Sequence, residues 1–520
     1  MAIAARLPVS KLDCDKFRLR SFVDRLIQMG EVEIRTEPTP LADLARHLDT
    51  NPMAVLFRKV GPEGAEVVGN VMASRRRVAE AFGVSERDIF REMSRRLGHP
   101  LPPVEISSRE APVHQIVWTG EDADLTKLPV HVQHARDGGP YISAGIDFTV
   151  DPESGLTNVG YRRLMLRGRS EASFNLYAPT DLKEIYRKCV ARGGRLPVSF
   201  VIGSHPLDAM AAVQQLAGDE LSLMGAMRGK PVPVVRCKTN DILVPADAEI
   251  VLEGYVDEHG YSASEGPYGE FMGYYGEMKE NPVFHITAIT MRRDALFQTI
   301  TISGTQLGST DTSLMCAIET EATVWKTLQT AVREPVAVHA TAASNGIHHV
   351  RVAVRQRVPG EARNVIAALF GSVANVKHVF VVDEDIDVFS DQQMDWALST
   401  RFQADRDLVV QSDFRSIPLD PSLEGSRTGA KAGFDLTVPF GKLGSWAWET
   451  PKPPAVDPVR QFDSVRQALE SKAMTFVELM NATGTTDGRE IVVALEELRN
   501  TCGIVRREHG EYALKDRGSP

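Results

Sequence analysis

The chain is short of the features that mark several protein classes. Its five cysteines, Cys14, Cys189, Cys237, Cys316 and Cys502, are widely separated and form no CxxC pair, so neither a disulfide framework nor a thiolate zinc site is indicated. No run of 18 apolar residues occurs, which excludes a transmembrane helix, and Lys11 and Asp13 interrupt the N terminus before an apolar segment of signal-peptide length. Basic excess is missing too. Lys plus Arg total 59 against 69 Asp plus Glu, a net charge of −10 that disfavours broad binding to nucleic acid. GxGxxG opening a βαβ unit, GxxxxGK[ST], HExxH and GxSxG are all absent. His131 with His134, and His348 with His349, lack the further ligands of a zinc pattern. What remains is ordinary for a globular chain of 520 residues, 43% hydrophobic and 25% charged. The expectation is a cytoplasmic protein of roughly three domains, bound to neither membrane nor nucleic acid.

Periodicity divides the chain into regions of different texture. Leu19, Phe22, Val23, Leu26 and Ile27 form one apolar helix face with Gly30 at its end, followed by a strand at Val32 to Ile34. Residues 1–112 read as an N-terminal α/β domain. Residues 113–315 are strand-rich, with alternation at Ile142 to Val150, Glu249 to Leu252 and Phe284 to Thr290, and one helical insertion at Asp181 to Ala191. That mixture predicts a barrel or rolled sheet. In residues 316–450 helices and strands alternate, among them a helix over Glu319 to Val332 and a strand at His349 to Val354, as in a second α/β domain. Beyond a Pro-rich linker, residues 461–520 follow the helix, helix, helix, ribbon order of a winged helix. With 8 Lys or Arg against 10 Asp or Glu, this appendage lacks a basic footprint, so a lid or a subunit contact is expected in place of DNA reading.

Five stretches could carry chemistry. In Ser264-Glu265-Gly266-Pro267-Tyr268-Gly269-Glu270, glycines and proline hold two carboxylates on a constrained loop, with Phe271, Tyr274 and Tyr275 nearby to exclude water. Desolvation and like charge could keep one Glu protonated as an acid, although solvated glutamates on a tight loop are the commoner outcome of such spacing. In Thr157-Asn158-Val159-Gly160-Tyr161-Arg162-Arg163, an arginine could clamp a carboxylate, but Asn158 and Arg163 face opposite sides of a regular strand unless a bulge or strand end intervenes. Asp219-Glu220 precedes LSLMGAM as helix-capping acids do. Gly429-Ala430-Lys431-Ala432-Gly433 reads as a small-residue loop whose lysine could meet a phosphate. Asp383-Glu384-Asp385-Ile386-Asp387 could bind a cation or form a solvated turn.

Together with Asp137-Gly138-Gly139-Pro140-Tyr141, VPADAEIVLEG and WALSTRF, and in this order over most of residues 15–450, these motifs resemble the UbiD family of reversible decarboxylases. The resemblance implies an α+β multidomain fold: an N-terminal α/β domain, a central split β-barrel of flavin-reductase type and a C-terminal α/β domain, with the winged-helix-like tail outside the common core. It implies prenylated FMN as cofactor, bound along Asn158, Val159, Gly160, Tyr161, Arg162 and Arg163 and by Glu220 and Lys431. Asn158 and Glu220 match ligands of a divalent metal, usually manganese and often accompanied by potassium. The family's third ligand is a histidine, yet residues 159–204 contain none; Asp181 falls at or near that position, with Asn175 as an alternative. Arg163, Glu265 and Glu270 match the catalytic network, Arg163 holding the substrate carboxylate and Glu270 delivering the proton. The implied activity is decarboxylation of an aromatic, heteroaromatic or α,β-unsaturated acid, or of an arylcarboxyl-CoA, by a homodimer or homohexamer that receives its cofactor from a flavin prenyltransferase. A non-catalytic or regulatory subunit of a larger assembly is the competing reading.

Overall fold

The computed structural model describes residues 13–214, 218–457 and 459–515. The first twelve residues, on which part of the reading of the N terminus rests, lie outside the described residues. The chain divides into two compact units, residues 1–437 and 438–520. Among the described residues, no helix is long and apolar enough to cross a membrane.

In the larger unit the helix Leu19–Gln28 buries Leu19, Phe22, Val23 and Leu26, as its periodicity requires, and Gly30 follows in the left-handed region at φ 73°. The adjoining sheet contains Val32–Arg35, Ala54–Val60 and Ala65–Gly69 and borrows its fourth strand, Phe297–Gln298, from far along the chain. Such a long-range pairing has no local signal.

The centre is a closed six-stranded antiparallel barrel. Around it run Ile250–Val256, Leu196–Ile202, Tyr141–Val150, Thr157–Leu166, Glu171–Phe174 and Val283–Met291, the last pairing back onto the first. Closure removes the free sheet edges. One core cluster contains Ile142, Leu164, Phe174, Phe200, Leu252 and Phe284. A second contains Ile146, Phe148, Val159, Val201 and Val251 with residues of the helices Pro206–Ala212 and Glu220–Arg228. These barrel strands are therefore buried on both faces, so their polar residues carry special weight.

The 21-residue helix Asp311–Ala331 follows, begun by Thr310, whose hydroxyl accepts from Ser313 N. Sequence periodicity places its start at Glu319, eight residues late, because the buried first turns carry no amphipathic contrast. Beyond it lies a five-stranded sheet in the order Pro335–Ala340, His349–Val354, His378–Asp383, Thr428–Asp435, Leu408–Arg415, with the middle three strands parallel. The GAKAGFD segment, expected as a loop, is the strand Thr428–Asp435: register pairing on both sides outweighs its small residues. The acidic run after His378–Asp383 is an ion-paired turn in which Asp385 meets Arg401, Glu384 meets Arg355 and Asp387 meets Arg87.

The smaller unit contains the helices Val465–Ser471, Phe476–Thr483 and Gly488–Thr501 and a ribbon of Ile504–Arg506 and Tyr512–Leu514. That is the element order expected from sequence. Its own core is formed by Val465, Leu469, Leu479, Ile491, Leu495 and Leu498.

Candidate active site

Two groups of polar side chains are reached from the barrel strand Thr157–Leu166. Strand alternation gives Asn158 and Arg162 one face and Arg163 the other. No register shift occurs within this strand; the irregularity is in its neighbour, between Ile142 and Gly145. The bulge that would turn Asn158 and Arg163 into one pocket is therefore not on their own strand.

Arg163 organises the first group. Its Nε donates to Glu265 Oε1 at 2.9 Å, and its two terminal nitrogens donate to the two oxygens of Glu270, each at 3.1 Å. The fork spans both carboxylates, a geometry that lysine could not reproduce. The guanidinium lies 4.2 Å from the Tyr268 ring centroid and 5.9 Å from that of Tyr141. Glu265 and Glu270 are 1% and 6% exposed, so their interaction with Arg163 is little screened. The structure thus unites the three residues that the resemblance singles out.

Residues that the sequence reading missed complete this group. Asn281 Nδ2 donates to Glu265 Oε2 at 2.7 Å, while its Oδ1 accepts from Leu176 N at 3.1 Å. Lys279 is the direct partner of Glu265 across the strands Ala263–Glu265 and Lys279–Asn281, and its Nζ lies 3.6 Å from Glu270 Oε1. Alternation in Lys279-Glu280-Asn281 puts Lys279 and Asn281 on one face, the only local signal they carry. Asn175, an alternative metal ligand on sequence grounds, instead directs Nδ2 to Glu265 Oε2 at 3.4 Å.

The carboxylate loop is braced from behind. Asp137 accepts from His134 N at 2.9 Å and from Gly269 N at 3.0 Å. Gly138 packs so closely that a Cβ there would collide with the carbonyl of Gly266. Burial pushes the Tyr268 hydroxyl well above its ordinary range, and that hydroxyl donates to Gln133 Oε1 at 2.5 Å. The aromatic wall is therefore Tyr268 and Tyr141. Tyr274 and Tyr275, expected to wall the site, are 63% and 45% exposed, because their side of the loop faces outward.

The second group surrounds Glu220. Asp219 is the helix cap, accepting from Ser222 N at 3.0 Å, which leaves Glu220 to face the barrel strand. Glu220 Oε2 accepts from Asn158 Nδ2 at 2.9 Å and from Val159 N at 2.6 Å. The helix bearing Glu220 is fixed at its other end by Arg228, which forks onto Asp208 and Asp247. Burial first, with the nearby Asp181 and Asp147 acting in the same direction, raises the Glu220 carboxyl to about 7. Arg162 is held by Asp147, at 2.5 and 2.7 Å, and by Thr180. Gly160 makes room for that pair, since a Cβ would overlap the Arg162 guanidinium. Tyr161 is partly buried and packs against the core cluster shared by the barrel and its helices.

An oxygen-ligated cation fits this group. Asn158 Oδ1 is buried without a hydrogen-bond partner, and it adjoins a carboxylate that burial makes unfavourable as an anion. Asp181 is exposed at the first turn of Asp181–Ala191 and acts on Glu220 through charge. Among the described residues, no three His, Cys, Asp or Glu side chains converge as a metal cluster.

Lys431 joins neither group. It is 2% exposed and donates to the carbonyls of Phe370 and Val373 at 3.0 Å each, closing the C-terminal end of the helix Glu361–Ser372. Desolvation lowers its pKa to about 8. The phosphate-facing role expected of it is not the one it has in this structure, because helix carbonyls already take its ammonium.

Comparison with known proteins gives concordant results. Three family models match in series: the 3-octaprenyl-4-hydroxybenzoate carboxy-lyase N-terminal domain over residues 27–97, its Rift-related domain over 104–305 and its C-terminal domain over 313–436. An anhydromevalonate phosphate decarboxylase of Methanosarcina mazei is 32% identical over 430 residues, covering 80% of this chain and 95% of the relative. The UbiD-class enzyme HmfF from Pelotomaculum thermopropionicum, solved with FMN, superposes with a TM-score of 0.79 at 32% identity, covering 85% of this chain and 98% of the other. The 3,4-dihydroxybenzoic acid decarboxylase AroY of Klebsiella pneumoniae superposes at 0.76 with 27% identity, over 85% and 98%.

Proposed function

Because the chain belongs to the UbiD family of carboxy-lyases, we propose that it is a reversible, non-oxidative decarboxylase whose substrate bears its carboxyl group on an unsaturated carbon, in an alkene or an aromatic ring. The buried Arg163–Glu265–Glu270 network is the observation that carries this reading. A subunit that had lost catalysis would have no physical reason to keep two carboxylates and a guanidinium desolvated together, since burying charge is costly. The substrate class includes phosphorylated alkenoic acids, supported by the likeness to the anhydromevalonate phosphate decarboxylases, and phenolic acids, supported by the likeness to the 3,4-dihydroxybenzoic acid decarboxylase.

When bound, prenylated FMN supplies the electron sink for the pair left on carbon as carbon dioxide departs. The side chains of this protein do the remainder. Glu270, aimed by both terminal nitrogens of Arg163, gives a proton to the vacated carbon and in the reverse direction removes it. Glu265, held by Arg163 Nε and Asn281 Nδ2, keeps the guanidinium plane fixed. Tyr268 and Tyr141 exclude water from the same side, strengthening each charge interaction. Asn158 and Glu220 would hold a manganese-like cation, with Asp181 at the rim adding negative charge; this ion, with or without potassium, would neutralise the phosphate of the cofactor. A flavin prenyltransferase is the source of that cofactor, and the active form is a homodimer or a larger homo-oligomer.

The test is coexpression with a flavin prenyltransferase, followed by absorbance and mass spectra of the bound flavin. Phosphorylated alkenoic acids and aromatic acids are then screened for loss of carbon dioxide. We expect turnover of one class, abolished in Glu270→Gln while the flavin remains bound. Wild-type rates in Glu270→Gln would remove the acid assignment, and a flavin-free, inert wild type would favour the non-catalytic subunit.

A further inference from the structure

We propose that Lys279 is the residue that receives the substrate carboxylate before carbon dioxide leaves, a role that rests on the decarboxylase reading above. Arg163 gives three of its five N–H groups to Glu265 and Glu270, so its fork is already aimed at the protein's own carboxylates. Lys279 is different. Its ammonium lies 3.6 Å from Glu270 Oε1, beyond a short hydrogen bond, and it donates no hydrogen bond among the described residues. An ammonium has three donors, all of them available here.

Position supports the same role. Register pairs Lys279 with Glu265 directly across the two short strands, so both side chains project to one face. On its other side the ammonium lies 4.8 Å from the centroid of the Tyr177 ring, and Tyr177 is 45% exposed, so this side of the ammonium borders solvent. The Lys279 side chain is itself only 16% exposed, so its charge is poorly screened.

Charge counting completes the case. The charged groups facing Glu270 are Arg163 from the barrel strand and Lys279 from the adjacent hairpin strand, with Glu265 beyond Arg163 and the Tyr268 hydroxyl turned to Gln133. Two cations face two carboxylates. Once Glu270 carries the proton it is to deliver, one positive charge is left over. Arg163 remains tied to Glu265, so the surplus is on Lys279, next to the proton donor and beside the exposed Tyr177. A substrate carboxylate placed there is neutralised until it departs as neutral carbon dioxide, its electron pair staying on the carbon that Glu270 protonates.

The experiment uses holoenzyme loaded with prenylated FMN and the phosphorylated alkenoic and aromatic acids of the screen above. Two reactions are followed: loss of carbon dioxide, and deuterium incorporation from D2O into the decarboxylated product. The second needs the proton chemistry of Glu270 but no carboxylate, as microscopic reversibility requires. In Lys279→Met we expect KM for the acid to rise roughly 10- to 100-fold, as loss of a charge-assisted contact implies. Product deuteration should stay within about threefold of wild type. Lys279→Arg should recover most of the KM, and Lys279→Gln serves in place of Lys279→Met if that variant does not fold. An unchanged KM, or deuteration lost in proportion to decarboxylation, overturns the proposal; the latter outcome would mean that Lys279 acts on Glu270. A wild type that performs neither reaction sinks the decarboxylase reading and this proposal together.

Discussion

Asn281 shows how a fully buried amide can govern reactivity without touching substrate. Its donor fixes Glu265 and its acceptor takes Leu176 N, so truncation frees the carboxylate and orphans a backbone group at once. Asn281→Ala should lower kcat roughly 10- to 100-fold, as a displaced reacting group does, with KM little changed. Steady-state kinetics on the loaded enzyme would show this. Gly138 illustrates the opposite constraint, absence of a side chain. A Cβ there strikes the Gly266 carbonyl, so Gly138→Ala must displace the loop carrying Glu265 and Glu270, and activity should fall with only a small change in melting temperature. Retained full activity in Gly138→Ala would show that the loop has room to give.

Among the elements, the strand Thr428–Asp435 and the helix Glu361–Ser372 are joined by one buried ammonium. Lys431 satisfies the carbonyls of Phe370 and Val373, a helix C-terminal arrangement favourable to a cation. Lys431→Met should cost about 1–3 kcal/mol through the two unpaired carbonyls, seen as an earlier urea midpoint, with flavin affinity unaltered. Flavin affinity lost at unchanged stability would instead return this lysine to the phosphate. The helix Glu220–Arg228 has a comparable anchor, because Arg228 is locked by Asp208 and Asp247 and thereby aims Glu220 at Asn158.

The molecule as a whole carries neutral buried histidines that make it sensitive to acid. Burial lowers His131, His348 and His349 to about 4 and His205 to about 3. Each has a folded pKa below its unfolded value, so between pH 6.5 and 4 the unfolded chain binds more protons and stability falls as pH falls. For His131, 2% exposed, the loss is about 2 kcal/mol by pH 5. Urea midpoints measured from pH 7 to pH 5 should decline, and His131→Asn should flatten the slope by about one proton. The smaller unit has its own core, so a chain ending at residue 450 should keep its fold and flavin binding. Aggregation of that truncated chain would show that the larger unit depends on the segment removed.

How much of this was legible in the sequence depends on whether the determining interaction was local. The helix Asp181–Ala191, the strand His349–Val354 and the helix order of the smaller unit follow from periodicity and capping residues that act over a few positions. The ordered motifs around Asn158, Arg163, Glu220, Glu265 and Glu270 singled out the candidate site residues. Tertiary structure alone decided which of them meet. Barrel closure brings the strand of Arg163 against a hairpin about a hundred residues later, and only there do Lys279 and Asn281 join the carboxylates. The same long-range packing sent Asn175 to Glu265 and buried Lys431 beneath a helix end, because desolvated polar groups take whichever partner the fold supplies. Residue identity is a property of the chain, but the company a charge keeps is set by closure of the barrel and pairing of the sheet.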